Sequence, residues 1–110
     1  MEKLPIPFSY NWNNKLDCKA FTTIRLYSPD NHVIGKEVNA VLKGVSKGTG
    51  KIVKVKCFLL KDLNDYMAYL DTGYDAVEAA NIIRKMYSAV NFDTKMLAFI
   101  LILKDKQSHE

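Results

Sequence analysis

The chain has 110 residues, of which 48% are hydrophobic and 25% charged, and its net charge is +4. That length suits one domain over residues 1–110, with enough apolar material for a core that needs no staples. The balance excludes a disordered chain, and the two cysteines exclude a disulfide framework and a zinc-ligand spacing.

Cys18 and Cys57 read as buried thiols of a cytoplasmic protein. Residues 1–15, with Pro5, Pro7, Asn11, Asn13 and Asn14, read as irregular with a short extended piece, and Tyr10 and Trp12 as cover for one end of the core. The start lacks the basic-then-apolar layout of a signal peptide, and the longest apolar run, Met96 to Leu103, is too short to span a bilayer. No membrane association is expected.

Lys19 to Leu26 is rich in β-branched and aromatic residues and precedes the turn-like Ser28-Pro29-Asp30-Asn31, so it reads as a strand. Period 2 puts Ala20, Thr22, Ile24 and Leu26 on a core face. Lys19, Phe21, Thr23 and Arg25 then form the opposite face, a polar row suited to a cleft that holds an anion or a polar ring. Val33-Ile34-Gly35-Lys36 leads into a second strand over residues 37–43. Gly44 to Gly50, with three glycines in seven residues, reads as a flexible hairpin loop, and a third strand follows over residues 52–58.

The period then changes to that of a helix. Leu63, Tyr66, Met67 and Leu70 fall at i, i+3, i+4 and i+7 of a helix starting at Asp62 and ended by Gly73. Asp75 with Glu78 forms a capping pair for a second helix, whose stripe is Ala76, Ala79, Ala80, Ile83 and Tyr87. Met96–Leu103 is apolar at every position, as a strand buried on both sides requires, and residues 104–110 form a polar tail. Strands, a helix pair and a last central strand make an α+β domain: a small, curved, mixed sheet or half-open barrel with two amphipathic helices against it.

Charge is unevenly placed. Residues 32–61 hold seven lysines (36, 43, 47, 51, 54, 56 and 61) against Glu37 alone, a net of +6 that leaves −2 for the rest. A basic region on a mildly acidic body suits phosphate, and Lys43, Lys47, Lys51 and Lys54 are its candidate nucleic-acid contacts together with Arg25; lysines that discourage edge-to-edge strand pairing give the same pattern. A phosphate-binding loop at Gly50-Lys51 is excluded, because Val45 and Ile52 stand where such a loop needs glycine and a hydroxyl, and a strand follows where a helix is needed. His32 and His109 lack acidic or thiol company, so neither a metal nor another cofactor is expected.

On the polar row, Thr23 is a hydroxyl that acts as a nucleophile if a base lies near, Lys19 is such a base if its pKa is lowered, and Asp71 at the helix junction is the acid partner. Phe21-Thr22-Thr23-Ile24-Arg25-Leu26, the Gly35-containing approach to Val38–Lys43, and Leu70-Asp71-Thr72-Gly73 leading to Ile82-Ile83-Arg84-Lys85-Met86-Tyr87 together resemble the ASCH family over residues 16 to 103. The resemblance implies a PUA-like barrel associated with RNA and modified-nucleoside chemistry. Thr23 and Arg25 match the last two fixed positions of the family signature, whereas its glycine falls on Cys18 and its lysine on Ala20, one residue after Lys19. One branch of the family hydrolyses N4-acetylcytidine with a lysine, a threonine and a glutamate, which this chain would supply as Lys19, Thr23 and Asp71. The expected function is binding of RNA or a modified nucleotide beside Thr23 and Arg25. The alternatives are an amidohydrolase acting on an acylated cytidine, and a small regulatory protein that docks an acidic protein partner through its basic face.

Overall fold

A computed structural model describes residues 3–105, without the side chains of Trp12 and Asn13. The expectations for Trp12, for His109 and for the tail after Asp105 lie outside the described residues. Five strands form one mixed sheet in the order β1-β3-β4-β5-β2, comprising β1 (Leu4–Phe8), β2 (Ala20–Leu26), β3 (Glu37–Leu42), β4 (Val45–Phe58) and β5 (Leu97–Lys104). Only β1 and β3 run parallel; the other three pairings are antiparallel. The sheet curls into a half-barrel, and α1 (Asp65–Thr72) and α2 (Ala76–Met86) complete a small α+β fold.

The irregular amino-terminal segment turns out to be more ordered than Pro5 and Pro7 suggest. They sit in β1, an edge strand, where a missing backbone N–H costs least. A 3₁₀ helix over Trp12–Asp17 follows, held by Asn11, whose Oδ1 accepts from the Leu16 N–H at 2.9 Å and whose Nδ2 donates to Asp17 at 3.2 Å.

The glycine-rich stretch is strand, not loop. The hairpin closes earlier, at Lys43 and Gly44, both with positive φ (50° and 85°) between the paired Leu42 and Val45. That is the two-residue turn whose twist matches the flanking strands, and glycine adopts it without strain. Gly50 is required further along, since a Cβ there would lie 2.4 Å from the Leu103 carbonyl oxygen. A bulge between Ile52 and Lys54 restores the alternation, with Lys51, Lys54 and Lys56 exposed on the outer side.

Both helix signals that rest on local chemistry hold. Gly73 takes the left-handed position after α1 (φ 82°), and Asp75 caps α2 by accepting from the Glu78 N–H at 2.9 Å. The start of α1 shifts to Asp65, because Asn64 is the residue that accepts from the Met67 N–H, and Leu60–Asp62 forms a separate 3₁₀ turn.

Two buried clusters divide the molecule. The half-barrel interior gathers Ile6, Phe8, Leu16, Phe21, Val38, Ile52, Ile100 and Ile102; the helix side gathers Ile24, Phe58, Leu60, Met67, Ile83 and Leu97. β5 lies between β4 and β2 and feeds both clusters, as its unbroken apolar run requires. The period-2 reading of β2 is corrected by this arrangement. Phe21 and Thr23 face the barrel interior and are buried, while Ile24 and Leu26 face the helices, so neither face is a free polar row. Cys18 and Cys57 are exposed rather than buried, Cys57 pointing away from the cluster that its neighbour Phe58 joins.

Candidate functional site

The half-barrel leaves a seam between its two edge strands, and the seam opens into a cleft of about 450 Å³. Pro7, Phe8 and Ser9 approach it from β1, Thr23 and Arg25 from β2, Lys43 and Gly44 from the hairpin, and Asp71 from α1. Ile82, Ile83 and Met86 of α2 form an apolar wall. The Arg25 Nη2 donates to the Pro7 carbonyl oxygen and ties the two edges together.

At the cleft's inner end Lys15 and Asp71 make an ion pair of 2.8 Å, with both residues almost wholly buried at 5% and 6% exposure. Leu16, fully buried in the barrel cluster, fixes the 3₁₀ helix so that the preceding lysine enters the seam. The Thr22 hydroxyl also donates to Asp71, at 3.2 Å, onto the same Oδ1 that receives Lys15. Asp71 lies in the last turn of α1, the negative end of a helix dipole, so a cation beside it is favoured there. Removal from water pushes the Lys15 amine below its ordinary pKa, against the opposing pull of Asp71. The same desolvation pushes the Asp71 carboxyl up, against Lys15, Thr22 and Arg25. Both groups are thus driven towards the neutral form, which brings an amine closer to use as a base.

Arg25 Nε donates to the Thr23 hydroxyl at 3.1 Å, and its guanidinium lies over the Phe8 ring at 4.7 Å from the centroid. The Lys15 amine lies 5.4 Å from the same centroid. One aromatic ring, itself edge-on to Phe21, therefore supports both cations. Burial lowers the Arg25 pKa, although a guanidinium keeps its charge in any such site. With Lys43 also at the mouth, three cations face one carboxylate.

Of the residues singled out in the sequence, Thr23, Arg25, Asp71 and Lys43 share this cleft. Lys19 is exposed and does not line it; the buried amine is Lys15, four residues earlier. Lys47 pairs with Asp17 at 3.3 Å, and Lys51 and Lys54 stand on the outer side of β4, away from the cleft. The lysines of the basic run are therefore divided between the cleft, the Asp17 pair and the outer side of β4. No signal at Lys15 marks it as buried, because the segment reads as polar and irregular; Asn11 before an apolar Leu16 is the trace of the turn that carries it. Among the described residues no cluster of potential metal ligands is present, and no helix is long and apolar enough to cross a membrane.

Scans against protein-family models, curated proteins and solved structures return no match to this chain.

Proposed function

We propose that the half-barrel is PUA-like and that its cleft binds a nucleotide or modified nucleoside, free or within RNA. The observation that carries this reading is the convergence of the Lys15–Asp71 pair and the Arg25–Thr23 hydrogen bond on one cleft walled by α2. A volume near 450 Å³ lies in the range of small-molecule sites, which combine apolar walls with a few converging polar groups. A base offers donors and acceptors on its edge and a flat apolar face, and an excess of cations suits its phosphate. Titration with cytidine, N4-acetylcytidine and short RNAs tests the proposal. Binding is expected, and Thr23→Val should weaken it by about 0.5–1.5 kcal/mol, the worth of one hydrogen bond. No binding of any of the three would sink it.

One observation favours hydrolysis of an acylated cytidine as a second reading. The amine that the sequence resemblance assigns to Lys19 has a counterpart inside the cleft in Lys15, whose pKa is lowered by burial next to Asp71. In that reading Lys15 accepts the Thr23 proton, directly or through water, and Thr23 attacks the acyl carbon. The acyl C–N4 bond then breaks as Lys15 returns the proton to the departing cytidine amine, and water hydrolyses the Thr23 ester to release the carboxylate, with Asp71 holding the Lys15 amine throughout. Turnover of N4-acetylcytidine that falls by orders of magnitude in both Thr23→Val and Lys15→Met would select it, since groups acting as a unit fail together.

A further inference from the structure

Residues 62–83 contain five acids and neither lysine nor arginine. Asp71 is turned inward to Lys15, whereas Asp62, Asp65 and Glu78 are exposed and Asp75 is half-buried at the start of α2. Within this acidic region lies an exposed aromatic and aliphatic surface. Tyr66 and Val77 are 77% and 71% exposed, and Tyr69, Leu70 and Tyr74 are also largely open to solvent. Tyr66, Tyr69 and Leu70 follow i, i+3, i+4 along α1 and so share its outward stripe. The Asp65 carboxylate accepts from the Ala76 N–H at 2.8 Å, which draws the first turn of α2, with Val77 and Glu78, against the first turn of α1. The exposed Asp65, Tyr66, Val77 and Glu78 are thus brought near one another at the two helix starts, on different elements from the lysine-bearing outer side of β4.

We propose that this face docks a lysine- and arginine-rich segment of a partner protein. Large rings left in water need a reason, and here they stand among carboxylates that have no ion pair among the described residues. Basic side chains satisfy both features at once: their aliphatic stems and charged heads lie over tyrosine rings, and the heads reach the flanking acids. A nucleic acid is repelled by the same acids. A second copy would offer its own Lys51, Lys54 and Lys56, but joining two different faces head to tail gives a ring only where the rotation between copies closes, and otherwise an open chain of copies.

A labelled oligo-arginine peptide, read by fluorescence anisotropy against an oligo-glutamate control, tests the proposal on the full chain. The basic peptide should bind and weaken with salt, and Tyr66→Ser/Tyr69→Ser should lose at least about tenfold in affinity with all charges retained. Tyr66→Ser alone, at the most exposed position, keeps the test valid if the double variant fails to fold, and Asp62→Asn/Glu78→Gln should weaken binding as well. Binding no stronger than that of the control, or unchanged by the tyrosine substitutions, overturns the proposal. So does concentration-dependent self-association in sedimentation that the same substitutions remove, because the face would then belong to a second copy.

Discussion

The half-barrel interior and the seam beside it are neighbours built on opposite terms. The interior is dry and apolar, with Ile52, Ile100 and Ile102 almost completely buried, and each of its side chains adds to stability by leaving water. The seam buries Lys15 and Asp71 almost as deeply, yet an ion pair gains about as much from mutual attraction as it loses in hydration. Hydrophobic residues of the same shape would hold the seam together at least as well. The proposed function of the cleft would account for a pair kept there despite that balance, whereas the interior needs no function to account for it.

The contrast can be broken most completely from the interior. Ile100→Asp places a carboxylate with no partner where no water reaches, at a cost exceeding the ~5–15 kcal/mol that holds a domain folded, so the cooperative unfolding transition should vanish in circular dichroism. In the seam, Lys15→Met leaves Asp71 buried without its cation and should cost about 3–5 kcal/mol in urea denaturation, while Lys15→Met/Asp71→Leu should recover most of that loss. Equal destabilisation by the single and double variants would mean that packing, not charge, is what the pair provides.

pH sharpens the same point. In Lys15→Met the Asp71 pKa stays raised by burial, so the folded state holds its proton more tightly than the unfolded state does. The sign follows: stability is fully present below the ordinary aspartate range and is lost as pH rises through the raised value. Acidification should therefore rescue Lys15→Met towards the wild type before general acid unfolding begins, and a rescue absent from Lys15→Met/Asp71→Leu isolates Asp71 as its source. A smaller effect is expected in the central strand, where Gly50 of β4 passes close to β5. Gly50→Ala must move the Leu103 carbonyl, which a Cβ would approach to 2.4 Å, and should cost about 1–3 kcal/mol. Smallest of all, Lys51→Gln/Lys54→Gln should change stability by less than about 0.5 kcal/mol, since both side chains are exposed and unpaired among the described residues.

What the sequence discloses about this molecule follows from the range of the interactions involved. Gly73 and Asp75 are legible because each acts within its own turn, and β5 because an unbroken apolar run has few other uses. The Gly44–Gly50 stretch misleads, because one glycine makes the turn and another yields to a neighbouring backbone that is distant in sequence. Thr23, Arg25 and Asp71 can be picked out as reactive types, but their meeting depends on how far the sheet curls. Lys15 illustrates the limit. Its partner is 56 positions away, and only the slight trace of the Asn11–Leu16 turn separates it from the exposed Lys19.

The strand order has a consequence for how the molecule comes into being. β2, which carries Thr23 and Arg25, has a single ladder partner, and that partner is β5, from Ala20 opposite Leu103 to Leu26 opposite Leu97. During synthesis β1, β3 and β4 can pair as soon as they leave the ribosome, while β2 waits for more than half the chain. Closing so long a loop is slow, and the unpaired edge is exposed to other nascent chains in the meantime. The cleft is therefore assembled last, in the same step that completes the sheet, so a chain stalled before residue 97 presents lysines to its surroundings but no pocket between its edges.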